Sequence, residues 1–532
     1  MRPTQNIFEE PLIPVRWTSH AESEQGAEQL PAEIGVLELL LRSHDIECLA
    51  IAEAPAHSAL LRVLYALTSR VTGLDEARNG PDDWLERREE ILADGALPED
   101  RITAYAETYR DRFFLFDASP DGRPWMQDPR LVQQCDAAST AGVNKLVVTR
   151  PSGNNHAWWK HTLDTRPGPL SASEALLNLL TWHYYGPSGR CSSREVNGAK
   201  SASATAGPLR SALSYHPEGS TLFETLLAGL VPPEETVDPQ QDRCPWEWDE
   251  LPDPEGPPAA LTGPCSRLTA ASAHALLLVP DEDDPRLVRD AYITWAYRKG
   301  RGARPQDDYL IWQISKQGNV YPRPADSQRA LWRDVDALLL IDPPGVAQPR
   351  RPKVFEWAVE LPLDLSVHAL GFEQDGQAKD TQFVDSVTPP VLAFAERRSA
   401  RSKPAVGRLR AMGERFGNRL DRALRRAWRA YVNDPKDSAE AWAQEGAARY
   451  WPAAGTEFWN RFRALDRTGT ALDGGLDAGT ARTVFLSLAI RAFDEVTTSV
   501  TRTQRGARAV EEARVELFGD PRPRKPAKGS AA

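Results

Sequence analysis

The spacing of apolar residues separates the chain into two kinds of territory. Ile7 to Trp17 reads as extended, because Pro11 and Pro14 forbid a helix there. Two helices are expected next, over 35–51 with Leu37, Leu40 and Leu41 on one face, and over 54–74 with Leu60, Leu61, Leu64 and Leu67. Ser171 and Glu174 form a capping box that opens an apolar helix over 172–185, closed by Gly186-Pro187. A Gly/Ser/Ala-rich segment, 186–207, reads as a loop, followed by a helix over about 220–230 and a Pro-rich acidic loop over 231–261. From Ala275 the pattern alternates, and 291–298, 309–314 and 354–361 read as strands. Asp375-Gly376 is a turn dipeptide suited to a tight hairpin.

Beyond Thr388-Pro389-Pro390 the pattern becomes helical throughout. Leu409, Met412, Phe416, Leu420, Leu424, Trp428 and Tyr431 recur every three or four residues, as do Phe485, Leu488, Ala489, Ala492 and Val496. Two shorter helices, over 438–450 and 456–465, are expected between them, divided at Pro452. The expected fold is therefore α+β. A large mixed N-terminal domain with irregular loops and antiparallel strands spans 1–388, an all-α bundle of four helices spans 389–519, and 520–532 is a disordered basic tail.

Composition narrows the function. The 532 residues are 41% apolar and 26% charged, enough for a substantial core, and no apolar run is long enough for a membrane span. No signal-like N-terminus is visible, and five scattered cysteines fit a reducing cytosol, so a cytoplasmic protein is expected. The net charge of −11 argues against a uniformly basic coat. Yet Glu396–Ala430 carries eleven Arg and one Lys against three acidic residues, a local +9 within a remainder of −20. Arg415, Arg419, Arg422, Arg426 and Arg429 are expected to share the helix side opposite the apolar stripe, a ridge that can neutralise phosphates or simply face solvent.

Enzyme motifs are missing: there is no HExxH, GxSxG, Walker A or GxGxxG, and Gly198-Ala199-Lys200-Ser201 lacks the glycines a phosphate loop needs. His156 and His161 flank Trp158-Trp159 without a third ligand nearby, so no metal is expected. In 186–207, Arg190, Arg194 and Lys200 stand among small residues. Such a loop either stays flexible or lets backbone N–H groups approach a duplex while cations hold its phosphates.

Several stretches carry a family resemblance. IFEEPLIPVRW near the start, RFFLFDASPDGRPWMQDP (Arg112–Pro129), NKLVVTRPSGNN (Asn144–Asn155) and HALGFEQDGQAKDTQF (His368–Phe383) occur in the order found in the CasA family. That family is the large subunit of the type I-E CRISPR surveillance complex, Cascade. The resemblance spans nearly the whole chain and implies a non-catalytic subunit without cofactor. It implies recognition of the protospacer-adjacent motif (PAM) in double-stranded DNA through the minor groove, and wedging of the duplex to begin R-loop formation. It also implies a platform for the helicase–nuclease in antiviral defence.

By position the family's glycine loop corresponds to Asn197, Gly198, Ala199 and Lys200, and its glutamine wedge to Gln377 between Asp375-Gly376 and Ala378. Its contact to the CRISPR RNA 5′ handle corresponds to Val147, Val148, Thr149, Arg150 and Asn154 in the stretch up to Asn155. A DNA-contacting lysine corresponds to Lys299 or Lys316. The Arg ridge, Arg415, Arg419 and Arg422 among it, would guide single-stranded DNA. The implied partners are the other Cascade subunits, the CRISPR RNA, target DNA and the helicase–nuclease, with no membrane. Some members carry a cysteine cluster for zinc; only Cys244 and Cys265 lie in that part here, so no metal is implied. Two other classes stay open: a structural scaffold that never touches DNA, and a stand-alone enzyme with a dispersed active site.

Overall fold

The structure is a computed structural model of the full chain. It describes all residues except 1–2, 77–79, 118, 120, 151–166, 235–236, 303, 340–349, 376–378, 393–404, 466–475 and 520–532. These residues form an α+β protein in two units, Met1–Ser327 with Gly345–Ala393, and Gln328–Pro344 with Phe394–Ala532.

The first unit is built around helix α1 (Ala54–Thr72), in which all residues but Arg70 are buried. Pro55 starts it, where a missing N–H costs nothing, and Gly73 ends it at φ +69°, the left-handed conformation glycine adopts freely. Helix α2 (Ala172–Tyr185) packs against α1 and opens with the expected Ser171/Glu174 capping box.

Three hairpins and one further strand complete the frame. Strands β1 (Gly189–Val196) and β2 (Ala199–Ala204) pair antiparallel. Strand β3 (Leu213–Glu218) forms the edge of a three-stranded sheet. Strands β4 (His274–Pro280) and β5 (Leu287–Trp295) pair in a second sheet, which the short strand Leu170–Ser171 extends. The first sheet is completed by β6 (Ser366–Asp375) at its centre and β7 (Lys379–Val387) at the other edge. His368 faces His216 on one side and Val387 on the other.

Four local expectations are corrected. The first helix is only Val36–Leu41; the chain then turns, and Ile46–Leu49 is a strand paired with Val15–Trp17. Of 309–314 only Trp312–Ile314 is strand, paired with Val320–Pro322. The segment 354–361 begins as a helix, Val354–Ala358: Val354, Phe355 and Ala358 are buried, a spacing that serves one helix face as well as a strand. The small-residue segment 186–207 is not an irregular loop but the β1–β2 hairpin.

In the second unit, helices α3 (Ala405–Val432), α4 (Glu440–Arg463), α5 (Ala478–Thr497) and α6 (Gln504–Phe518) form the bundle. Pro452 does not divide α4. It forfeits one backbone hydrogen bond, but residues on both sides of it, Gly446 and Tyr450 before, Ala454 and Phe458 after, are buried in the bundle and hold the helix straight through. Helices α3 and α4 approach so closely that a Cβ on Gly446 would lie 2.1 Å from Leu424 Cδ1. The short helix Val335–Leu339 also packs against α3, and the preceding Trp332 stacks on Phe458 at 5.1 Å between centroids.

Candidate nucleic-acid interface

The β1–β2 hairpin places Asn197, Gly198, Ala199 and Lys200 at an exposed tip. Asn197 (φ +49°) and Gly198 (φ +75°) are both left-handed, the two-residue turn whose twist matches paired strands and which Asn-Gly favours. A Cβ on Gly198 would meet open space, so the backbone there is approachable from outside.

Below the tip the hairpin is held down. Ser192, Arg194 and Val196 alternate inward and are buried. Arg194 is fully buried; it donates to Asp128 at 2.8 Å, to Gln134 Oε1 at 2.8 Å and to the Trp295 carbonyl at 3.0 Å, with its guanidinium 5.1 Å from the Trp295 ring. It therefore anchors the hairpin and is not available to phosphate, which corrects its reading as a surface cation. Arg190 and Lys200 remain exposed. Arg298, just beyond β5, donates to the Ala199 carbonyl at 2.8 Å while pairing with Glu255 at 2.6 Å. Trp295 Nε1 donates to the Ser201 carbonyl at 3.2 Å. A rigid base thus carries an exposed Asn-Gly tip.

The two candidate lysines sit in different places. Lys299 is exposed next to Arg298, the residue that grips the tip, whereas Lys316 is exposed in the turn between Trp312–Ile314 and Val320–Pro322.

The β6–β7 hairpin is paired up to Asp375 opposite Lys379. Gly376, Gln377 and Ala378 lie outside the described residues. At the hairpin's base, His368 bridges both edge strands: Nδ1 lies 2.5 Å from Glu218 on β3 and Nε2 lies 2.8 Å from Asp385 on β7. Burial opposes its charge, but the hydrogen bonds and charges of the two carboxylates prevail and raise its pKa to about 9. Burial, aided by the positive His368, pushes the neighbouring His57 down to about 3, so it stays neutral.

Val147, Val148, Thr149 and Arg150 follow the short helix Val143–Leu146 and are half-buried. Arg150 donates from its backbone N–H to the Val147 carbonyl at 2.9 Å and from Nη1 to the Gly168 carbonyl at 2.8 Å. These four residues line a cavity of about 340 Å³ with Thr181 of α2 and Phe383 of β7. Asn154, His156 and His161 lie outside the described residues. The segment Val147–Arg150 and the flank of the β6–β7 hairpin thus border one space.

The arginine ridge of α3 is broken. Arg415 and Arg422 are exposed, Arg426 pairs with Glu516 at 2.7 Å, and Arg429 donates to the Asp437 carbonyl at 2.8 Å. Arg419 is buried, which corrects its place on the exposed side. It donates to the Leu517 carbonyl at 3.3 Å, and a Cβ on Gly519 would lie 2.3 Å from its guanidinium. The end of α6 leaves carbonyls without helical partners, and a cation is favoured there.

Cys244 and Cys265 are both buried and reduced, and burial pushes the Cys244 thiol above its usual range. Among the described residues no group of three or more His, Cys, Asp or Glu side chains is arranged to hold a metal, and no helix is long and apolar enough to cross a membrane. Arg298 and His368 were not singled out from sequence. An Asn-Gly pair flanked by alternating residues could have disclosed the hairpin, but nothing local marks the arginine that holds it.

Comparison with known proteins brings these parts together. Residues 6–486 match the family model described as CRISPR-associated protein Cse1. The chain is 27% identical over 343 residues to the CRISPR-associated protein CasA/Cse1 of Thermus thermophilus, a match covering 63% of this chain and 60% of that relative's length. In three dimensions it is similar to a chain of a solved CRISPR RNA-guided surveillance complex, with TM-score 0.82 and 38% identity over 97% of this chain and 100% of that one. It shares the fold of Thermobifida fusca Cse1 at TM-score 0.72 and 21% identity, over 97% of this chain and 98% of the other. With a family model spanning nearly the whole sequence and a solved relative matched end to end, this chain belongs to the Cse1 family of CRISPR-associated proteins.

Proposed function

We propose that this chain is the non-catalytic large subunit of a type I-E CRISPR RNA-guided surveillance complex. In this reading it recognises the PAM in double-stranded DNA and starts strand separation. The observation that carries the reading is the exposed Asn197–Lys200 tip, held rigid by Arg194 and Arg298, in a chain so similar to a subunit of a solved surveillance complex. An Asn-Gly tip has room for close backbone approach to a minor groove, where base-pair readout is degenerate, so a tolerant PAM is expected. Lys299 is the better placed of the two lysines to add a phosphate or base contact beside that tip.

Gln377 is the proposed wedge. Unstacking one step costs on the order of a few kcal/mol. The RNA–DNA duplex formed afterwards nearly balances the DNA duplex lost, so a small push at the first base pair decides whether opening proceeds. Val147–Arg150 and Asn154 would seat the RNA handle, and other subunits and the helicase–nuclease would dock on this chain. In thymine-reactivity footprinting of a target duplex with the reconstituted complex, omission of this chain or Gln377→Ala should abolish opening beside the PAM. Normal opening with Gln377→Ala would reject the wedge and favour a scaffold that leaves DNA to other subunits.

Arg415 and Arg422 remain as the exposed cations of α3 proposed to guide the displaced strand. Reversing both to Glu should weaken target binding and make log K fall less steeply with log salt, by about one unit of slope per lost phosphate contact. An unchanged slope would assign them to solvent or to protein contacts.

A further inference from the structure

The Pro-rich acidic segment 231–261 reaches the β1–β2 hairpin through a single turn, Asp253–Gly256, which is fixed from within and from without. Within it, Asp253 Oδ1 accepts from the Glu255 N–H at 2.9 Å and the Asp253 carbonyl accepts from the Gly256 N–H at 3.1 Å. From outside, the Arg298 N–H donates to the Pro254 carbonyl at 2.9 Å. A little further on, the Ala259 N–H donates to Tyr297 Oη at 3.3 Å, and Arg301 donates to the Ala259 carbonyl at 2.7 Å. None of these bonds uses the Glu255 side chain, so the turn keeps its place without it.

That side chain is directed at Arg298. One Glu255 carboxylate oxygen accepts from Arg298 Nε at 2.6 Å. Nη2 of the same guanidinium donates to the Ala199 carbonyl at 2.8 Å and lies 3.4 Å from the Val196 carbonyl. Val196 and Ala199 are the pair that closes the Asn197-Gly198 turn. The guanidinium lies 4.7 Å from the centre of the Trp295 ring. A guanidinium is a rigid plane, so an Nε edge held by Glu255 and a body held against Trp295 together aim Nη2 at the two carbonyls. Val196 packs on Trp295 below the turn. Among the described residues, Arg298 is the one side chain whose hydrogen bonds reach 196–200 from outside the hairpin.

We propose that Glu255 is a positioning residue for PAM recognition. It aims Arg298, which grips the carbonyls flanking the turn and so fixes the peptide planes that Asn197–Lys200 present to a minor groove. This rests on the reading of that tip as the PAM-recognising element. Neither Glu255 nor Arg298 touches DNA in this role: the carboxylate neutralises the guanidinium and leaves the exposed Lys200 and Lys299 as the cations for phosphate. A partly exposed ion pair adds little to global stability. Here its effect falls on one turn, whose ordering a duplex would otherwise have to bring about on binding.

Amide exchange of the purified full chain and duplex binding by the reconstituted complex test the two halves separately. Glu255→Ala should speed exchange of the 195–200 amides about fivefold, the most that a partly exposed ion pair supplies. Arg298→Ala should speed it at least about tenfold, and neither should change exchange in α1. Glu255→Gln, which keeps an acceptor for Nε, should fall between Glu255→Ala and the native chain. With target duplexes randomised at the PAM position, the preference for the best sequence over the median should shrink by the same factors. The slope of log K against log salt should not change, because no phosphate contact is lost. Unchanged exchange at 195–200 in both Ala variants would overturn the clamp. A slope shallower by about one unit in Arg298→Ala would make Arg298 a phosphate contact and overturn its positioning role. Faster exchange with an undiminished sequence preference would leave the clamp in place and overturn the tip as the PAM reader.

Discussion

Arg194→Ala is expected to destabilise the first unit by about 3–5 kcal/mol, the cost of removing one partner from a buried ion pair. The guanidinium is wholly buried, and its loss takes a donor from the Gln134 amide oxygen and the Trp295 carbonyl and leaves the buried Asp128 carboxylate with Arg130 as its one remaining ion-pair partner among the described residues. It also removes a cation packed against the Trp295 ring. Because Arg194 pins β1 onto β5, the β1–β2 hairpin should lose amide-exchange protection before the rest of the unit does. Arg194→Lys should recover only part of the loss, since an ammonium cannot reproduce the planar fork that reaches three acceptors. Denaturant unfolding of the three proteins measures this. A loss below about 1 kcal/mol for Arg194→Ala would show that the hairpin is held by its apolar contacts alone.

The second large effect depends on pH. His368 has a folded pKa of about 9 against about 6.5 for an ordinary histidine. A raised pKa means that its stabilising contribution is complete below pH 6.5. It falls away as pH rises from there and is gone above about 9. The contribution amounts to about 3 kcal/mol at its fullest.

Facing His368 are Glu218 on β3, Asp385 on β7 and the neutral His57, whose ring lies edge-on at 5.1 Å. His57 acts in the opposite direction. Its pKa is depressed to about 3, so its contribution is present above pH 6.5 and is lost as pH falls toward 3. Stability should therefore peak near neutrality. The difference between the native chain and His368→Gln, followed by denaturant unfolding from pH 6 to 10, should shrink steadily across the alkaline half. A difference that stays constant with pH would mean that the imidazole is neutral in the fold. Since His368 ties both edge strands to β6, the same variant should loosen the β6–β7 hairpin that carries Gln377.

Sequence alone disclosed the mixed N-terminal part and the helical C-terminal part, because those depend on local periodicity and on caps such as Ser171/Glu174 that act within one turn. It also pointed to the hairpin whose strands end at Asp375 and resume at Lys379, since a turn dipeptide is a local signal. It failed where two local readings were equally good and packing chose between them. Val354, Phe355 and Ala358 suit a strand or a helix until a core is present to bury one face. Pro452 ends a helix in isolation, yet α4 runs through it because buried residues on both sides hold it in the bundle. The Gly/Ser/Ala-rich segment read as a loop because its inward positions are Ser192 and Arg194, which are polar; only their buried partners reveal a strand face.

The cations show the division most clearly. Helical periodicity put Arg419 on the same side as Arg415 and Arg422, and it took the distant end of α6, where the Leu517 carbonyl lies 98 residues away in sequence, to draw it inward. Arg194 and His368 carry charges that only make sense beside Asp128, Glu218 and Asp385, partners supplied by other strands and loops. A residue's propensity is written in its neighbours along the chain. Whether its charge meets solvent, a phosphate or a buried carboxylate is decided by residues far away in sequence, through the desolvation and pairing that only the folded chain imposes.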